Sequence, residues 1–480
     1  MTHHHAVAAR TKLSFLLVAL LVAGCGGGAS GSNDETDAGT GNPNPTDGGT
    51  PNNNGACPAL TGAKGPGVVH DEGGESLEAD TVWKASDSPH IVANAPNIDA
   101  FTLTIEPCAV VLLRDDRSIT VSGRGKLVAR GTADKPILFD SEEPGRQWSS
   151  LIAESANGEV GTIDLAHVTL RNGGKQGFLG TENFFGGVVS VTGNDSLNEN
   201  KPRTPSLRVQ NVIIENTPDW GVRLRTGAVF SADSTQLTIR NAIRGSMRVG
   251  FRLADTIPSG SYTGNGAGDI VLKRDMDFLK DSMTLRDRGV PYRLNEGEDS
   301  DDFIIGASTE GGARTTLTLE PGVRLKMAGP KGLSIEKNGA LVARGTAAKP
   351  IVFTSAAASP APGAWEGIAF RGSGRGSVIE HAEVSFAGGT WTSTGPYCDA
   401  STGEATYARG HGAISLAAQP ESQFITHTRI TQSARFGIHR AWSGSPVDFM
   451  STNTFESVAA CRQSYPAMEG DTCPATVPCP

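Results

Sequence analysis

The 480-residue sequence is poor in the residues that build long helices and membrane spans. Charged residues make up 19 % of it and aromatics 6 %, against about 25 % charged in an average soluble chain. Coiled coils and long surface helices draw on Ala, Glu, Lys and Leu, so this composition excludes them. Long apolar runs are missing as well. Leu13–Val22 is a run of ten residues, about half of what crosses a bilayer as a helix. Positive charge is not in excess: 42 Lys and Arg face 51 Asp and Glu, for a net charge of −9. That excludes the basic footprint of a nucleic-acid partner. No CxxC pair and no Cys/His spacing of a zinc site occurs either. What is present is 38 % apolar residues, 60 glycines and 27 prolines. The apolar share is enough to bury a core and excludes disorder throughout. The glycine and proline point to a turn-rich, all-β chain.

The first residues stand apart. Arg10 and Lys12 precede the apolar run, and Val22-Ala23-Gly24-Cys25 follows it. This order reads as a cleavable export signal, and the last four residues resemble the lipobox of bacterial lipoproteins. The resemblance implies cleavage before Cys25 and acylation of its thiol and new amine. Several acyl chains give a stable membrane anchor where one is marginal. Gly26 lacks the Asp that retains some lipoproteins in the inner membrane, so the resemblance implies a bacterial outer-membrane, surface-exposed location. Residues 1–24 are then the signal, with His3, His4 and His5 in the discarded part. Residues 25–56, rich in Gly, Asn, Thr and Pro, form a tether with a root-mean-square reach of about 30 Å.

Beyond Cys25 lie Cys57, Cys108, Cys398, Cys461, Cys473 and Cys479. Six cysteines allow fifteen connectivities. In an oxidising compartment disulfides are the default. The expectation is that Cys57 and Cys108 clamp the start, while the other four staple the C-terminal end.

The most informative feature is an internal duplication. Thr102-Leu-Thr-Ile-Glu-Pro-Cys108 returns as Thr316-Leu-Thr-Leu-Glu-Pro-Gly322, Leu127–Ala133 as Leu341–Ala347, and Lys135–Phe139 as Lys349–Phe353. Over residues 102–139 the offset is a constant 214, and 17 of 38 positions are identical. Further on, Trp148 pairs with Trp365, and Ile163–Val168 with Ile379–Val384, which sets His381 against Leu165. Short alternating runs such as Leu317/Leu319, Leu333/Ile335 and Ile351/Phe353 are separated by Gly, Pro and Asn. Alternation over three to five residues means strands, and their close spacing means many of them. The 424 residues of 57–480 exceed the ~250–300 at which one compact core stops growing. A solenoid escapes that limit because each coil packs only on its neighbours. One short helical turn is expected near Lys273–Met283, at the join of the units.

These motifs are similar to those of bacterial right-handed parallel β-helix repeat proteins with the pectin-lyase-like fold. The second unit carries the likeness most cleanly, in Leu317–Gly322, Leu341–Phe353, Trp365–Ile368 and Ile379–Gly389. The resemblance implies an all-β, right-handed parallel β-helix built from two homologous units, 57–283 and 284–480. It leaves activity open, because such helices host lyases, hydrolases, adhesins and scaffolds alike.

For an enzyme, the resemblance implies an Arg or Lys base with Asp-bound Ca2+ in a lyase, or two carboxylates in a glycosidase. These would come from adjacent coils, about twenty to twenty-five residues apart. No such set stands out by inspection. Gly410-His411-Gly412 matches a polygalacturonase motif without its partner motifs, and His381 belongs to the scaffold repeat. Glu296, Glu298, Asp299, Asp301 and Asp302 form an acidic run that is a weak Ca2+ candidate. Aromatics are scarce overall, so their density in 390–411 is informative. Trp391, Tyr397, Tyr407, Arg409 and His411, with Trp442 beyond, are the candidate ligand-binding residues, offering flat faces to sugars. The expectation is a lipid-anchored, non-catalytic surface protein whose partners are the membrane and either a polysaccharide or another envelope protein. The alternative is a polysaccharide lyase or glycoside hydrolase.

Overall fold

The computed structural model describes residues 57, 67–175, 186–194, 203–274, 278–294, 302–309, 311–389, 412–440 and 447–464, and the backbone alone of 397–398 and 405–406. Alternation along each strand sends every second side chain inward, and parallel register stacks those side chains into columns. In one column Leu151, Val189, Val222, Met247, Ile270, Tyr292, Leu325, Phe353, Val384 and Ile430 oppose one another in turn. None of the ten is more than 2 % exposed. Full burial of a side chain of this size is worth ~1.5–3 kcal/mol, and it is available only when the next coil covers it. The chain is therefore a parallel β-helix, as its repeats imply.

Its largest sheet has thirteen strands, all paired in parallel except the short Glu159–Val160 against Ser155–Ala156. A twelve-stranded sheet covers two faces of the first unit. It does so because Thr162–Arg171 and Thr204–Thr217 bend in mid-strand. The first half of Thr162–Arg171 pairs with Lys126–Arg130 and the second half with Ile137–Phe139. The bends are single left-handed residues, His167 at φ 48° and Asn211 at φ 54°. A second bend follows five residues later, at Asn172 and Asn216 with φ of 57° and 58°, and Asn241 at φ 55° repeats it on the next coil. Asn and His tolerate this conformation better than most side chains.

The duplicated segments take matching roles. Thr102–Ile105 and Thr315–Leu319 are strands, as are Lys126–Arg130 and Gly339–Arg344. Trp148 and Trp365 are both buried, and their indole N–H groups donate to the carbonyls of Arg171 (2.7 Å) and Ser385 (2.8 Å). Those two acceptors are again 214 residues apart.

The units are not stacked by simple translation. Arg324–Met327 matches Val110–Leu113 by the offset, and Val110–Leu113 lies in the twelve-stranded sheet. Arg324–Met327 nevertheless continues the thirteen-stranded sheet, so the second unit enters after a turn of one face. The join is the parallel pairing of Ile270–Leu272 with Tyr292–Leu294. Asn54–Pro480 is one compact unit. Among the described residues of Lys273–Met283 the expected helical turn is not seen. Lys273 ends one strand and Met283 begins another, and the 3-10 turns among the described residues are Ala85–Asp87 and Phe251–Thr256. Strand pairing with the stacked coils on either side outcompetes local turn propensity at the join.

Candidate functional site

The second bend of each coil leads into the turn between the two large sheets of the first unit. Amides stack beside that turn, one per coil. Asn172 Nδ2 donates to Asp140 (2.8 Å), Asn241 Nδ2 to Asn216 Oδ1 (3.1 Å), and Asn265 Nδ2 to the carbonyls of Ile239 and Tyr262 (both 2.8 Å). This ladder holds the turns in register and fixes the wall of a groove of about 850 Å³, within the ~300–1,000 Å³ range of ligand sites. Among the described residues it is lined by Gln147, Gly174, Lys175, Pro218, Asp219, Ile243, Arg244, Gly266, Ala267 and Arg293. These come from six successive coils, a run of roughly 24 Å at the ~4.8 Å strand spacing.

The charges in the groove are ordered. Arg293 Nε meets Asp269 Oδ2 at 2.8 Å, and Lys326 Nζ meets Asp269 Oδ1 at 3.1 Å. Arg244 Nη1 lies 3.4 Å from Asp219 Oδ1. The aspartate side chains are 1 % and 4 % exposed, whereas Arg293 and Arg244 are 24 % and 39 % exposed. The counter-charges are thus buried and the guanidinium edges face solvent. Asp219 Oδ2 is buried without a hydrogen-bond partner. Lys175 Nζ meets Asp115 at 2.8 Å and Asp116 at 3.1 Å. This pairing raises the pKa of the ammonium and lowers that of the Asp115 carboxyl. Ile243, 72 % exposed, adds an apolar patch to the groove.

Behind the groove, Arg223 and Arg248 are register partners on adjacent strands. Burial, and then the Arg248 charge, lower the pKa of Arg223 to about 10. Gly186 packs over it: a β-carbon there would stand 2.8 Å from Asp219 Oδ2 and 3.4 Å from Arg223 Nη1. Arg223 is only 7 % exposed.

Sequence inspection missed this set although the expected spacing was the right one. Asp219, Arg244, Asp269 and Arg293 recur at steps of 25, 25 and 24 residues, and Arg223 and Arg248 at 25. The signal was a period with alternating sign of charge, which neither a motif nor a charge run displays.

The candidate ligand-binding residues Trp391, Tyr407, Arg409, His411 and Trp442 lie outside the described residues, as do Cys25, Glu296, Glu298, Asp299 and Asp301. The backbone of Tyr397–Cys398 pairs antiparallel with Ala405–Thr406. Asp302 is described, and its Oδ1 accepts the N–H of Gly332 on the next coil (3.1 Å). Cys57 and Cys108 are joined in a disulfide. Cys461 is also disulfide-bonded, while Cys473 and Cys479 lie outside the described residues. His381 is not the counterpart of Leu165. It is a left-handed bend residue with φ 47°, and the equivalent bend is His167 with φ 48°, at the unchanged offset of 214. Pairing the two stretches by letter similarity introduces a two-residue shift that the backbone does not have.

Residues 299–409 match the family described as the pectate-lyase like beta helix domain. No curated protein and no solved structure matches the chain.

Proposed function

Because this chain is a parallel β-helix protein with a pectate-lyase-like helix domain in its second unit, we propose that it binds an acidic polysaccharide along the groove of its first unit. We further propose that acyl chains on Cys25 hold the protein at a bacterial cell surface, as the lipobox-like Val22-Ala23-Gly24-Cys25 supports. The observation that carries it is the order of charge in the groove, with Asp219 and Asp269 buried and the edges of Arg244 and Arg293 outward. A linear polymer bearing carboxylates meets such edges at successive coils. Preformed pairs of this kind keep the donors oriented before ligand arrives, which limits the entropic cost of binding. Ile243 supplies an apolar surface for a sugar face.

The test is equilibrium binding of polyuronate oligomers by calorimetry, with neutral glycans as comparison. Arg244→Ala and Arg293→Ala should each weaken binding about tenfold or more, as loss of a charged hydrogen bond of ~1.5–3 kcal/mol implies. Affinity should fall as salt rises from ~0.01 to ~1 M, where the Debye length shrinks from ~30 to ~3 Å. Binding that ignores both substitutions and salt would contradict the proposal.

A second reading, a polyuronate lyase, rests on the depressed pKa of Arg223, since the family resemblance supplies an Arg base. Its cover by Gly186 argues for binding instead. Ultraviolet absorbance of unsaturated products from a polyuronate panel, lost in Arg223→Lys, would decide for the lyase.

A further inference from the structure

The duplication provides an internal control for a second site, far along the sequence from the groove. At the mid-strand bend of the first unit, Ala166 precedes His167, and the next coil supplies Asn211, whose Nδ2 lies 3.4 Å from His167 Nε2. At the same bend of the second unit Glu380 precedes His381, and the next coil supplies His427. Both differences add a metal-ligating group. The bend itself brings them together. Adjacent residues of a regular strand point to opposite faces, but the left-handed turn at His381 (φ 47°) interrupts that alternation, and His427 repeats it at φ 49°.

The outcome is two imidazoles stacked across neighbouring coils, centroids 4.9 Å apart and 17° from parallel. One ligand atom from each of Glu380, His381 and His427 lies within 4.8 Å of the others. The ring nitrogens of the two histidines make no hydrogen bond to any other described residue. Glu380 Oε2 also pairs with Arg344 Nε at 3.3 Å, an exposed contact that leaves the carboxylate's other oxygen available. Tetrahedral metal–nitrogen bonds of ~2.0–2.1 Å need ligand atoms closer than this, which side-chain rotation at a solvent-facing site can supply.

We propose that Glu380, His381 and His427 bind a divalent transition metal of the zinc, copper or nickel class. Two imidazoles and a carboxylate favour these ions over calcium and magnesium, which take all-oxygen sets. With three protein ligands a coordination position stays open to water. The metal bridges two coils of the second unit, linking residues 46 apart in sequence (His381 and His427).

Zinc titration of the full chain by calorimetry tests this, with His427→Asn as the main variant because Asn211 shows that the bend accommodates Asn. His3, His4 and His5 can also take zinc, so the reading is a difference within one chain. His427→Asn should lower the stoichiometry by one equivalent, and Glu380→Ala should weaken that equivalent at least tenfold. His167→Asn should leave it unchanged. Zinc should raise the melting temperature of the wild type and not of His427→Asn. Equal stoichiometry and affinity in wild type and His427→Asn would overturn the proposal, as would an equal melting shift.

Discussion

Replacing Asp269 with Asn removes one charge and no volume, and it tests whether the groove is a built charge network. The carboxylate is 1 % exposed and joins two cations from the next two strands of the sheet, Arg293 at 2.8 Å and Lys326 at 3.1 Å. Breaking a fully buried pair costs ~3–5 kcal/mol. Here the cations are 24 % and 33 % exposed and regain water when released, so the expected loss is nearer ~2–3 kcal/mol. Urea unfolding followed by circular dichroism reads it as a fall in midpoint at constant slope, the signature of a pure stability change. The double variant Asp269→Asn/Arg293→Met should cost less than the sum of its singles, because both singles break the same Asp269–Arg293 pair. Polyuronate affinity should also drop in Asp269→Asn, since Arg293 loses the contact that aims it. A midpoint within ~0.5 kcal/mol of wild type, the size of an ordinary surface substitution, would refute the reasoning.

Two further predictions follow from the N-terminal coils. The Cys57–Cys108 disulfide spans 51 residues, so Cys108→Ala should cost up to about 4 kcal/mol on the chain-entropy estimate; urea unfolding of oxidised and reduced protein checks it, and equal midpoints would contradict it. His90 Nε2–H donates to the Lys84 carbonyl (2.8 Å), which leaves its Nδ1 to accept from His70 Nε2–H (3.0 Å), and Trp83 stacks on both rings. Burial lowers the pKa of both histidines below 6.5. Their stabilisation is therefore present above about pH 6.5 and lost as pH falls through the unfolded value toward the lower folded ones. Hydrogen-exchange protection factors at residues 68–94, taken against the intrinsic exchange rate at each pH, should fall between about pH 7.5 and pH 5, and fall less in a His70→Gln variant; unchanged factors would contradict this.

Much of the architecture was legible because a β-helix writes its core into the sequence as a repeat. The pairs Leu103/Leu317 and Phe139/Phe353 occupy matching inward positions, and the two tryptophans close the same bend. Three things were hidden for physical reasons. The one-face turn between units depends on which strand of one coil stacks on the next, and the residues inside a strand do not encode it. The partnership of His381 with His167 rests on a left-handed φ, which the letters on either side obscure. The groove charges lie one coil apart and alternate in sign, so no local window contains two of them together. The aromatic stretch 390–411 and the acidic run 295–302 stand out by local density, and apart from Asp302 their side chains lie outside the described residues. The groove, by contrast, is assembled across coils.

The most direct test of polysaccharide binding in the groove is hydrogen exchange with and without a polyuronate oligomer. The account predicts added protection at the turns 217–219, 243–244 and 266–268 and at 291–293, one segment per coil, lost in Arg244→Ala. Protection confined to 390–411, or none at these four segments under saturating ligand, would contradict it.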